Sequence, residues 1–559
     1  MSTGFERHQA GEPDHYPDLA RGFVPFPADR AELYRHAGYW TGRPLDSLLR
    51  DGAANWPQRT AIIDPARSYT FAELDAAADR IAAGLAHLGV VPGDRMLLQL
   101  PNTCQFAVAL FGLLRAGVVP VMCLPGHRLA EMSHFVDVSG AVGLVIPGRA
   151  GGFDYRAMAE QLLAAHPSLE HVIVDGPGDI GPFVPWSSLT GFSGPPLPQR
   201  APVDPSLPAL LLVSGGTTGL PKLIARTHND YVYTAMASAQ AYEMTGDDTY
   251  LVVLPAGHNF PLACPGLLGA MTVGAKTVFT TDPSPEAAFA LIDQHHVTVT
   301  GLVNALAKVW SQACEWEPVL PTSLRAVQVG GSRMSAEDAR FILDNLTTGL
   351  SQIFGMAEGM LNFTRIGDPV EVVVHTQGRP MSPHDEMRVV DEAGAQVPPG
   401  EEGELLVRGP YTLNGYYRAE EANARSFTPD GFYRSGDRVR IFADGPKAGY
   451  VEVTGRIKDV IHRGGETVSA TDLEDHLHTH PKITFAAAVP LPDEFLSEKI
   501  CAAVVFSGTP ITLTELNAYL DQRGVSSHAR PDVLVALPSL PKTAVGKVDK
   551  PKLIKDLLA

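Results

Sequence analysis

The chain is poor in cysteine and shows no arrangement of cysteines that would hold a metal or build a disulfide framework. Only five occur in 559 residues: Cys104, Cys123, Cys264, Cys314 and Cys501. None forms a Cys-x-x-Cys pair, and none has the Cys/His spacing of a metal site. This sparse use predicts free, buried thiols in a reducing compartment, so we expect the protein to be cytoplasmic.

Positive charge is also scarce, since 44 Lys and Arg face 62 Asp and Glu, for a formal net charge of −18. This excess argues against non-specific binding of nucleic acid or of anionic membranes. Residues 1–18 are polar and lack the apolar core of a signal peptide. The stretch nearest to a membrane span, 106–124, contains Arg115, Gly117 and Pro120 and therefore predicts a buried helix followed by a strand.

The length and the pattern of apolar runs predict more than one domain. With 45% apolar and 19% charged residues, the chain is of the folded globular class and too long for one core. Short apolar runs alternate with helical patterns over residues 45–213 and again over 250–329, which predicts parallel α/β sheets. From about Arg379, short strands separated by Gly and Pro predict a small β-rich subdomain. Residues 455–465 mark a boundary before a final stretch with its own α/β pattern.

The most informative segment directly follows the apolar run 209–213, which is typical of a buried strand. It consists of Ser214, Gly215, Gly216, Thr217, Thr218, Gly219, Leu220, Pro221 and Lys222. The glycines permit a tight turn close to a ligand, and the hydroxyls and lysine are donors for phosphate oxygens. It is not a Walker A loop, in which Gly and Lys are adjacent. A flexible linker is the alternative, but linkers are rarely so rich in Thr and Lys after a core strand.

Further motifs indicate the rest of a nucleotide site. They are Val329 to Arg333, Gln352 to Gly359, Tyr433 to Asp437, Gly455 to Asp459 and Pro541 to Lys547. Phe354 is a flat aromatic residue that can stack on a purine. Glu358 is a lone carboxylate of the kind that holds Mg²⁺ near a triphosphate, and Asp437 can accept hydrogen bonds from both hydroxyls of a ribose.

In combination, these motifs resemble those of the adenylate-forming superfamily, which includes acyl- and aryl-CoA ligases, peptide-synthetase adenylation domains and luciferases. The resemblance covers roughly residues 45–556. It implies an α/β fold with a large N-terminal adenylation domain, 1–455, made of two α/β subdomains and a small β-rich subdomain. A small, mobile α+β C-terminal domain, 456–559, would follow. The resemblance also implies that the protein uses ATP and magnesium.

The resemblance assigns a role to each motif. Lys547 would be the catalytic lysine that bridges the substrate carboxylate and the α-phosphate, where charge builds as pyrophosphate leaves. His258 would be a further catalytic residue, Lys458 the pivot between the domains, and Glu358 the magnesium ligand. The predicted nucleotide contacts are Ser214, Gly215, Gly216, Thr217, Thr218, Gly219, Lys222, Gly331, Ser332, Ile353, Phe354, Gly355, Met356, Ala357, Asp437, Arg456 and Lys547.

Single residues of these motifs also have simpler explanations. Glu358 could be a solvated surface residue, and Asp437 could belong to an ordinary turn. Lys458 and Lys547 could be surface lysines, one in a linker and one near the chain end. The co-occurrence of several motifs of one reaction favours the functional interpretation in each case.

The segment 257–265 indicates the substrate, because it resembles the aryl-acid activators of siderophore pathways. Amino-acid-activating relatives have an Asp in place of Asn259 to hold the α-ammonium, whereas an amide can hydrogen-bond an ortho hydroxyl. Enzymes for 2,3-dihydroxybenzoate have a Ser in place of Cys264, and a thiol is a weaker partner for the 3-hydroxyl, which favours salicylate. A core-packing role is the alternative for Cys264. The predicted acid contacts are Asn259, Phe260, Cys264, Gly330, Gly331 and Leu361.

Residues 21–27, 98–102 and 361–365 further resemble the mycobactin-type salicyl-AMP ligases. The predicted reaction is therefore activation of salicylate with ATP to salicyl-AMP and pyrophosphate. Transfer of the salicyl group to the phosphopantetheine thiol of an aryl carrier protein in siderophore biosynthesis would follow. The alternatives are a 2,3-dihydroxybenzoate-AMP ligase, an aryl-CoA ligase that uses free CoA, and a non-catalytic AMP- or aryl-binding module. We expect no nucleic-acid partner and no transmembrane segment.

Overall fold

The structure is a computed structural model that describes residues 17–178, 180–197, 203–214, 221–457, 459–463, 466–543 and 546–559. Several predicted site residues lie outside the described residues: Gly215, Gly216, Thr217, Thr218, Gly219 and Lys458. Their roles stay predictions. The other predicted site residues are all described.

The first part of the described chain, up to residue 197, alternates helices and short strands. Its helices are α1 (Pro17–Arg21), α2 (Ala28–His36), α3 (Ser47–Asn55), α4 (Phe71–His87), α5 (Cys104–Arg115), α6 (Leu129–Ser139), α7 (Tyr155–Ala165) and α8 (Trp186–Thr190). Its strands are β1 (Thr60–Ile63), β2 (Ser68–Thr70), β3 (Arg95–Leu98), β4 (Val119–Met122), β5 (Gly143–Pro147), β6 (Arg149–Ala150), β7 (Phe153–Asp154), β8 (His171–Asp175) and β9 (Val184–Pro185).

The next part, from residue 203 to Pro380, repeats this alternation. Its strands are β10 (Pro208–Val213), β11 (Leu223–Thr227), β12 (Thr249–Val252), β13 (Lys276–Phe279), β14 (Val299–Val303), β15 (Ala326–Gly330), β16 (Leu350–Met356), β17 (Gly359–Phe363) and β18 (Arg379–Pro380). Its helices are α9 (His228–Ala241), α10 (Asn259–Ala263), α11 (Gly266–Val273), α12 (Pro285–His295), α13 (Asn304–Ala313), α14 (Ala336–Asn345) and α15 (Val370–His375).

These strands form two large, mainly parallel sheets, which are the two predicted α/β subdomains. One sheet has the order β11-β10-β4-β3-β5-β8-β9, and the other has the order β18-β17-β16-β15-β14-β12-β13-β1-β2. Every residue of β3, β4 and β5 is buried, as expected for parallel strands that helices cover on both faces. The predicted mixed α/β class is therefore confirmed.

Local sequence signals explain individual elements of these sheets. Thr70 caps α4: its side chain accepts from the backbone N–H of Glu73, and the Glu73 carboxylate accepts from the backbone N–H of Thr70. The run 106–124 forms the fully buried helix α5 followed by β4, as its interruptions predict. Within the described residues, no helix combines the length and apolarity needed to cross a membrane.

The third part is the predicted β-rich subdomain. It consists of β19 (Glu386–Val390), β20 (Glu402–Arg408), α16 (Glu420–Ser426), β21 (Tyr433–Ile441) and β22 (Val451–Arg456). The four strands form one antiparallel sheet in sequence order. A 3₁₀ turn at Gly445–Lys447 precedes the last strand.

The final part has its own sheet and its own apolar clusters. Its elements are β23 (Val460–Arg463), β24 (Glu466–Ser469), α17 (Ala470–His478), β25 (Ile483–Asp493), β26 (Ser497–Phe506), α18 (Leu513–Gln522), β27 (Val533–Ala536) and α19 (Lys550–Leu558). One cluster, around Leu473, Ile500 and Leu516, contains no residue before Ile461. A second cluster, around Val489 and Leu553, draws only on residues from Phe485 onward. A separate core is what a domain that moves as a rigid body requires.

Candidate active site

Several of the predicted nucleotide residues that the structure describes lie at the carboxyl ends of parallel strands, the edge where open α/β sheets bind ligands. β15 ends at Gly330, and the exposed residues Gly331 and Ser332 follow it directly. β16 and the residue after it contribute Ile353, Phe354, Gly355, Met356 and Ala357. The Phe354 side chain is half-buried and Gly355 is exposed, so this segment offers a ring and accessible backbone to a ligand.

The described ends of the predicted phosphate loop are held together at its base. Ser214 N donates to Lys222 O at 2.9 Å, and Lys222 N donates to Ser214 Oγ at 2.9 Å. His134 on α6 donates from Nε2 to the Pro221 carbonyl oxygen at 2.9 Å. The loop therefore leaves from β10 and returns to β11 at a fixed point, next to the Lys222 side chain.

Glu358 lies beside a pair of buried phenols. The Tyr416 hydroxyl donates to Glu358 Oε1 at 2.9 Å, and its oxygen lies 2.9 Å from that of Tyr433. Lys222 Nζ lies 5.1 Å from the centroid of the Tyr416 ring. Among the described residues, this leaves Oε2 of Glu358 without a hydrogen-bond donor. The carboxylate is thus fixed on one side and open on the other.

Asp437 and Arg456 face each other across β21 and β22. Arg456 Nε donates to Asp437 Oδ1 at 3.1 Å, and Asp437 N donates to Ser435 Oγ at 3.0 Å. Burial raises the pKa of the Asp437 carboxyl, and the Arg456 guanidinium opposes this shift. The pair holds a carboxylate in place with one oxygen still able to accept hydrogen bonds.

Lys547 reaches this cluster from the C-terminal part of the chain. It closes a turn in which Thr543 N donates to Lys547 O at 2.8 Å. A Cβ placed on Gly331 would lie 3.4 Å from Lys547 Cε, and Gly331 has a φ of +96°. Glycine therefore provides both the left-handed backbone and the space that the lysine stem occupies. Burial and the nearby Arg456 charge lower the pKa of Lys547 to about 8, although Asp437 and Glu358 oppose the shift.

We expect this pKa to limit activity at alkaline pH. In its predicted role, the ammonium form would stabilise developing phosphate charge and the neutral amine would not. The kcat/KM for ATP in pyrophosphate exchange reports on the free enzyme, so it should fall by about tenfold per pH unit above about pH 8. Lys547→Arg, which stays charged, should lose this alkaline limb even at a lower overall rate. A wild-type profile that is flat to about pH 10 would contradict the assignment.

The same C-terminal part forms ion pairs with the large domain next to Gly331. Arg333 Nη1 lies 2.9 Å from Asp475 Oδ2 and 3.6 Å from Asp472 Oδ1, both on α17. Arg333 Nη2 lies 3.8 Å from Glu452 Oε1 on β22. The Arg333 and Asp475 side chains are 23% and 29% exposed. These contacts join the C-terminal part to the large domain in the arrangement that brings Lys547 to the site.

His258 precedes α10 and caps it. Its Nδ1 accepts from Phe260 N at 3.3 Å, so in the neutral ring Nε2 carries the hydrogen. Burial and the nearby Lys547 charge lower the pKa of His258 to about 4. The residue is therefore a neutral N–H donor at ordinary pH.

The Phe260 ring lies where two glycines leave room for it. A Cβ on Gly301 would lie 3.1 Å from Phe260 Cζ, and one on Gly330 would lie 3.7 Å from Phe260 Cε1. Leu361 on β17 donates its backbone N–H to the Tyr411 hydroxyl at 2.9 Å. The predicted contacts Phe260 and Gly330 thus meet directly.

Asn259 and Cys264 are in contact and both buried, at 6% and 1% exposed. Asn259 Nδ2 donates to Cys264 Sγ at 3.5 Å, and the Cys264 thiol donates to the backbone carbonyl oxygen of Asn259 at 3.4 Å. Burial raises the pKa of the Cys264 thiol to about 12, so it is not a thiolate. Cys264 therefore supports the Asn259 amide, and its predicted contact with a bound acid stays a prediction.

Several side chains at the site were given no role by the sequence analysis: Arg226, Tyr231, Tyr411, Tyr416 and Tyr433. Apart from Tyr433, which opens the motif that contains Asp437, they belong to no motif, and no spacing rule marks them. Only the fold shows their contacts with Asn259, Leu361 and Glu358.

Both the N-terminal and the C-terminal part of this chain are similar to known proteins. It matches the family model described as AMP-binding enzyme over residues 49–417 and the one described as AMP-binding enzyme C-terminal domain over residues 472–547. The "Salicyl-AMP ligase / salicyl-S-ArCP synthetase" of Mycobacterium tuberculosis is 64% identical over 541 residues, which cover 96% of this chain and 94% of that relative. The "2,3-dihydroxybenzoate-AMP ligase" of Bacillus subtilis is 44% identical over 533 residues, covering 95% and 97%. The apo structure of Mycobacterium smegmatis MbtA matches with 65% identity and a TM-score of 0.76, over 96% of this chain and 99% of that one.

Proposed function

Because the chain belongs to the AMP-binding enzyme family, we propose that it activates salicylate with ATP to salicyl-AMP and pyrophosphate. We further propose that it passes the salicyl group to the phosphopantetheine thiol of an aryl carrier protein in siderophore biosynthesis. The observation that carries the proposal is the convergence of Lys547, Asp437 and Glu358 near His258, which directly precedes the buried Asn259. A salicyl-AMP ligase at 64% identity supports this choice of acid.

In the first half-reaction, a carboxylate oxygen of salicylate attacks the α-phosphorus of ATP, and the bond from that phosphorus to pyrophosphate breaks. Negative charge grows on the α-phosphoryl oxygens, and the Lys547 ammonium is the group that would stabilise it. His258, as a neutral donor, would add a hydrogen bond without a proton transfer. Asp437 would accept from the ribose hydroxyls while Arg456 keeps its carboxylate in place.

Magnesium fits the carboxylate at Glu358. Mg²⁺ in such enzymes keeps several waters and uses one or two carboxylates together with the substrate phosphates. Glu358 is half-buried, is fixed through Oε1 by Tyr416, and has Oε2 available. When bound, the ion would neutralise phosphate charge as pyrophosphate leaves.

In the second half-reaction, the pantetheine sulfur attacks the carbonyl carbon of salicyl-AMP, a C–S bond forms, and AMP leaves. We propose that the domain 456–559 rotates about Lys458 between the two steps, because Lys547 and its turn fill the side of the site next to Gly331. The separate apolar clusters of this domain are consistent with such a rigid-body motion. The five cysteines are free thiols. The reducing cytoplasm, where we propose that the protein works, would keep them in that state.

The test is ATP–pyrophosphate exchange across a panel of aryl acids, followed by thioester formation with carrier protein and with free CoA. Salicylate should give the highest kcat/KM, and the carrier should be acylated much faster than CoA. The absence of exchange with any acid would identify a non-catalytic binding module. Equal transfer rates to CoA would instead identify an aryl-CoA ligase.

Selectivity against the 3-hydroxyl gives a separate prediction at Cys264. The wild type should prefer salicylate to 2,3-dihydroxybenzoate. Cys264→Ser should lower the ratio of the two specificity constants, because a hydroxyl is a better hydrogen-bond partner for the 3-hydroxyl than a thiol. One added hydrogen bond predicts a change in the ratio of specificity constants of about tenfold. Specificity constants for both acids in both proteins measure it. A wild type that already prefers the dihydroxy acid would contradict the pocket assignment.

A further inference from the structure

We propose that Tyr231 is a specificity-determining residue that fixes the orientation of the Asn259 carboxamide. The amide N–H of Asn259 that is not bonded to Cys264 would then face the ortho substituent of the aryl acid. The site would then select acids with an ortho oxygen acceptor over acids with an ortho amine. This inference rests on the proposed function, since it concerns the acid that the same pocket binds. Tyr231 would act as a positioning residue, through Asn259.

The Tyr231 ring is held rigidly at the start of α9. It is 0% exposed, and the Arg226 guanidinium lies 4.8 Å from its centroid. Arg226 is itself buried, donates from Nε to Asp230 Oδ1 at 2.8 Å, and donates from Nη1 to the Ala357 carbonyl oxygen at 3.1 Å. The ring is thus fixed, and so is the position of its hydroxyl.

The Tyr231 hydroxyl reaches the acid pocket through one hydrogen bond. It donates to Asn259 Oδ1 at 2.9 Å, and both side chains are buried. Burial raises the pKa of Tyr231 far above its usual range, so the phenol keeps its proton and remains a donor. The phenol can also accept a hydrogen bond, but its own hydrogen is paired only when the amide turns its oxygen, not its nitrogen, towards Tyr231.

The contact with Cys264 supports the same orientation. The Cys264 thiol donates to the backbone carbonyl oxygen of Asn259. The Cys264 sulfur is then left to accept from Asn259 Nδ2. The reversed amide would place Nδ2 against the Tyr231 hydroxyl, and that hydroxyl would then have no acceptor among the described residues. In the observed orientation the Tyr231 hydroxyl, the Cys264 thiol and one amide N–H of Asn259 are all paired. One of the two N–H groups of the amide is left for a ligand.

This remaining N–H favours one chemistry at the ortho position. In salicylate the hydroxyl proton is shared with the neighbouring carboxylate, so its oxygen lone pairs are available to accept. In anthranilate the nitrogen lone pair is delocalised into the ring, and the amine presents mainly N–H groups. Two donors would then face each other, and a pocket built around a specific hydrogen bond discriminates strongly against such a mismatch.

The test compares Tyr231→Phe with the wild type in pyrophosphate exchange. This variant keeps the ring and its contact with Arg226 but frees the amide to turn. The ratio of kcat/KM for salicylate to that for anthranilate should fall by about tenfold or more, through KM for the acid, while KM for ATP is unchanged. Tyr242→Phe is the matched control, because it removes another fully buried hydroxyl, which bonds Ser351 Oγ at 2.8 Å. It should leave the ratio unchanged.

A measurement on the wild type alone makes the test independent of how the variants fold. 2-Fluorobenzoate has an ortho acceptor and no ortho proton, so it should be a better substrate than anthranilate. Anthranilate equal to or better than 2-fluorobenzoate, or an unchanged ratio in folded Tyr231→Phe, would overturn the inference while salicylate activation stands. A wild type that does not activate salicylate would instead overturn the proposed function and this inference with it.

Discussion

Replacing Lys547 by alanine is expected to slow salicyl-AMP formation by about 100-fold or more, since a contact to charge that develops in the transition state is worth roughly 3 kcal/mol. The residue lies on a turn that follows Thr543, outside the apolar clusters of its domain, so the fold should be unaffected. Pyrophosphate exchange with saturating salicylate measures the rate. Thermal unfolding of the same preparation checks the fold.

Lys542 provides the matched control for this variant. It lies on the same segment, but its side chain is exposed and its Nζ lies 5.6 Å from the Phe485 ring, within the small domain. Lys542→Ala should therefore keep an exchange rate close to that of the wild type. A loss of only about threefold in Lys547→Ala, far below the expected magnitude, would mean that Lys547 is not the catalytic lysine.

Replacing Lys458 by proline is expected to abolish transfer to the carrier while adenylation largely persists. Proline fixes φ near about −65° and so removes the backbone freedom that a pivot needs. The adenylating arrangement should be the one retained, because Lys547 reaches the site in it. Pyrophosphate exchange and carrier acylation must be measured on one preparation of the variant.

Lys458→Ala serves as the control for the hinge, because it removes the side chain and leaves the backbone free. Both half-reactions should then continue. Equal loss of both in the proline variant would indicate misfolding or a different role for the residue. Unchanged transfer in that variant would exclude Lys458 as the pivot.

The parts of this fold that follow local rules could be predicted from the sequence. Thr70 and Glu73 are three residues apart, so their reciprocal cap can be read directly from the chain. The strand before Ser214 and the helix–strand pair within 106–124 are similarly fixed by short apolar runs and their interruptions. Gly331 could also be recognised as part of a motif. The reason that a glycine is needed there, which is the space taken by the side chain of Lys547, could not be predicted.

The unpredicted parts are contacts between positions that are distant in the chain. Tyr416 meets Glu358 from 58 positions away, and Tyr231 meets Asn259 from 28 positions away. Each contact depends on how a helix or sheet packs against its neighbour, and a tyrosine in an apolar pattern gives no sign of the partner of its hydroxyl. The sequence thus predicts groups that would touch the ligand, but not the groups that hold them.

The ion pairs of Arg333 with the small domain have a consequence for how the reaction cycle is timed. They are partly open to solvent, and pairs of this kind contribute only about 1 kcal/mol or less. Shifting a two-state equilibrium from 1:99 to 99:1 takes about 5.5 kcal/mol, so these pairs cannot by themselves commit the protein to one state. The bound molecules must supply the rest: ATP and acid would recruit Lys547, and loss of pyrophosphate would release it. If the small domain rotates about Lys458 as proposed, occupancy of the site, rather than the Arg333 ion pairs, would set the order of the two half-reactions.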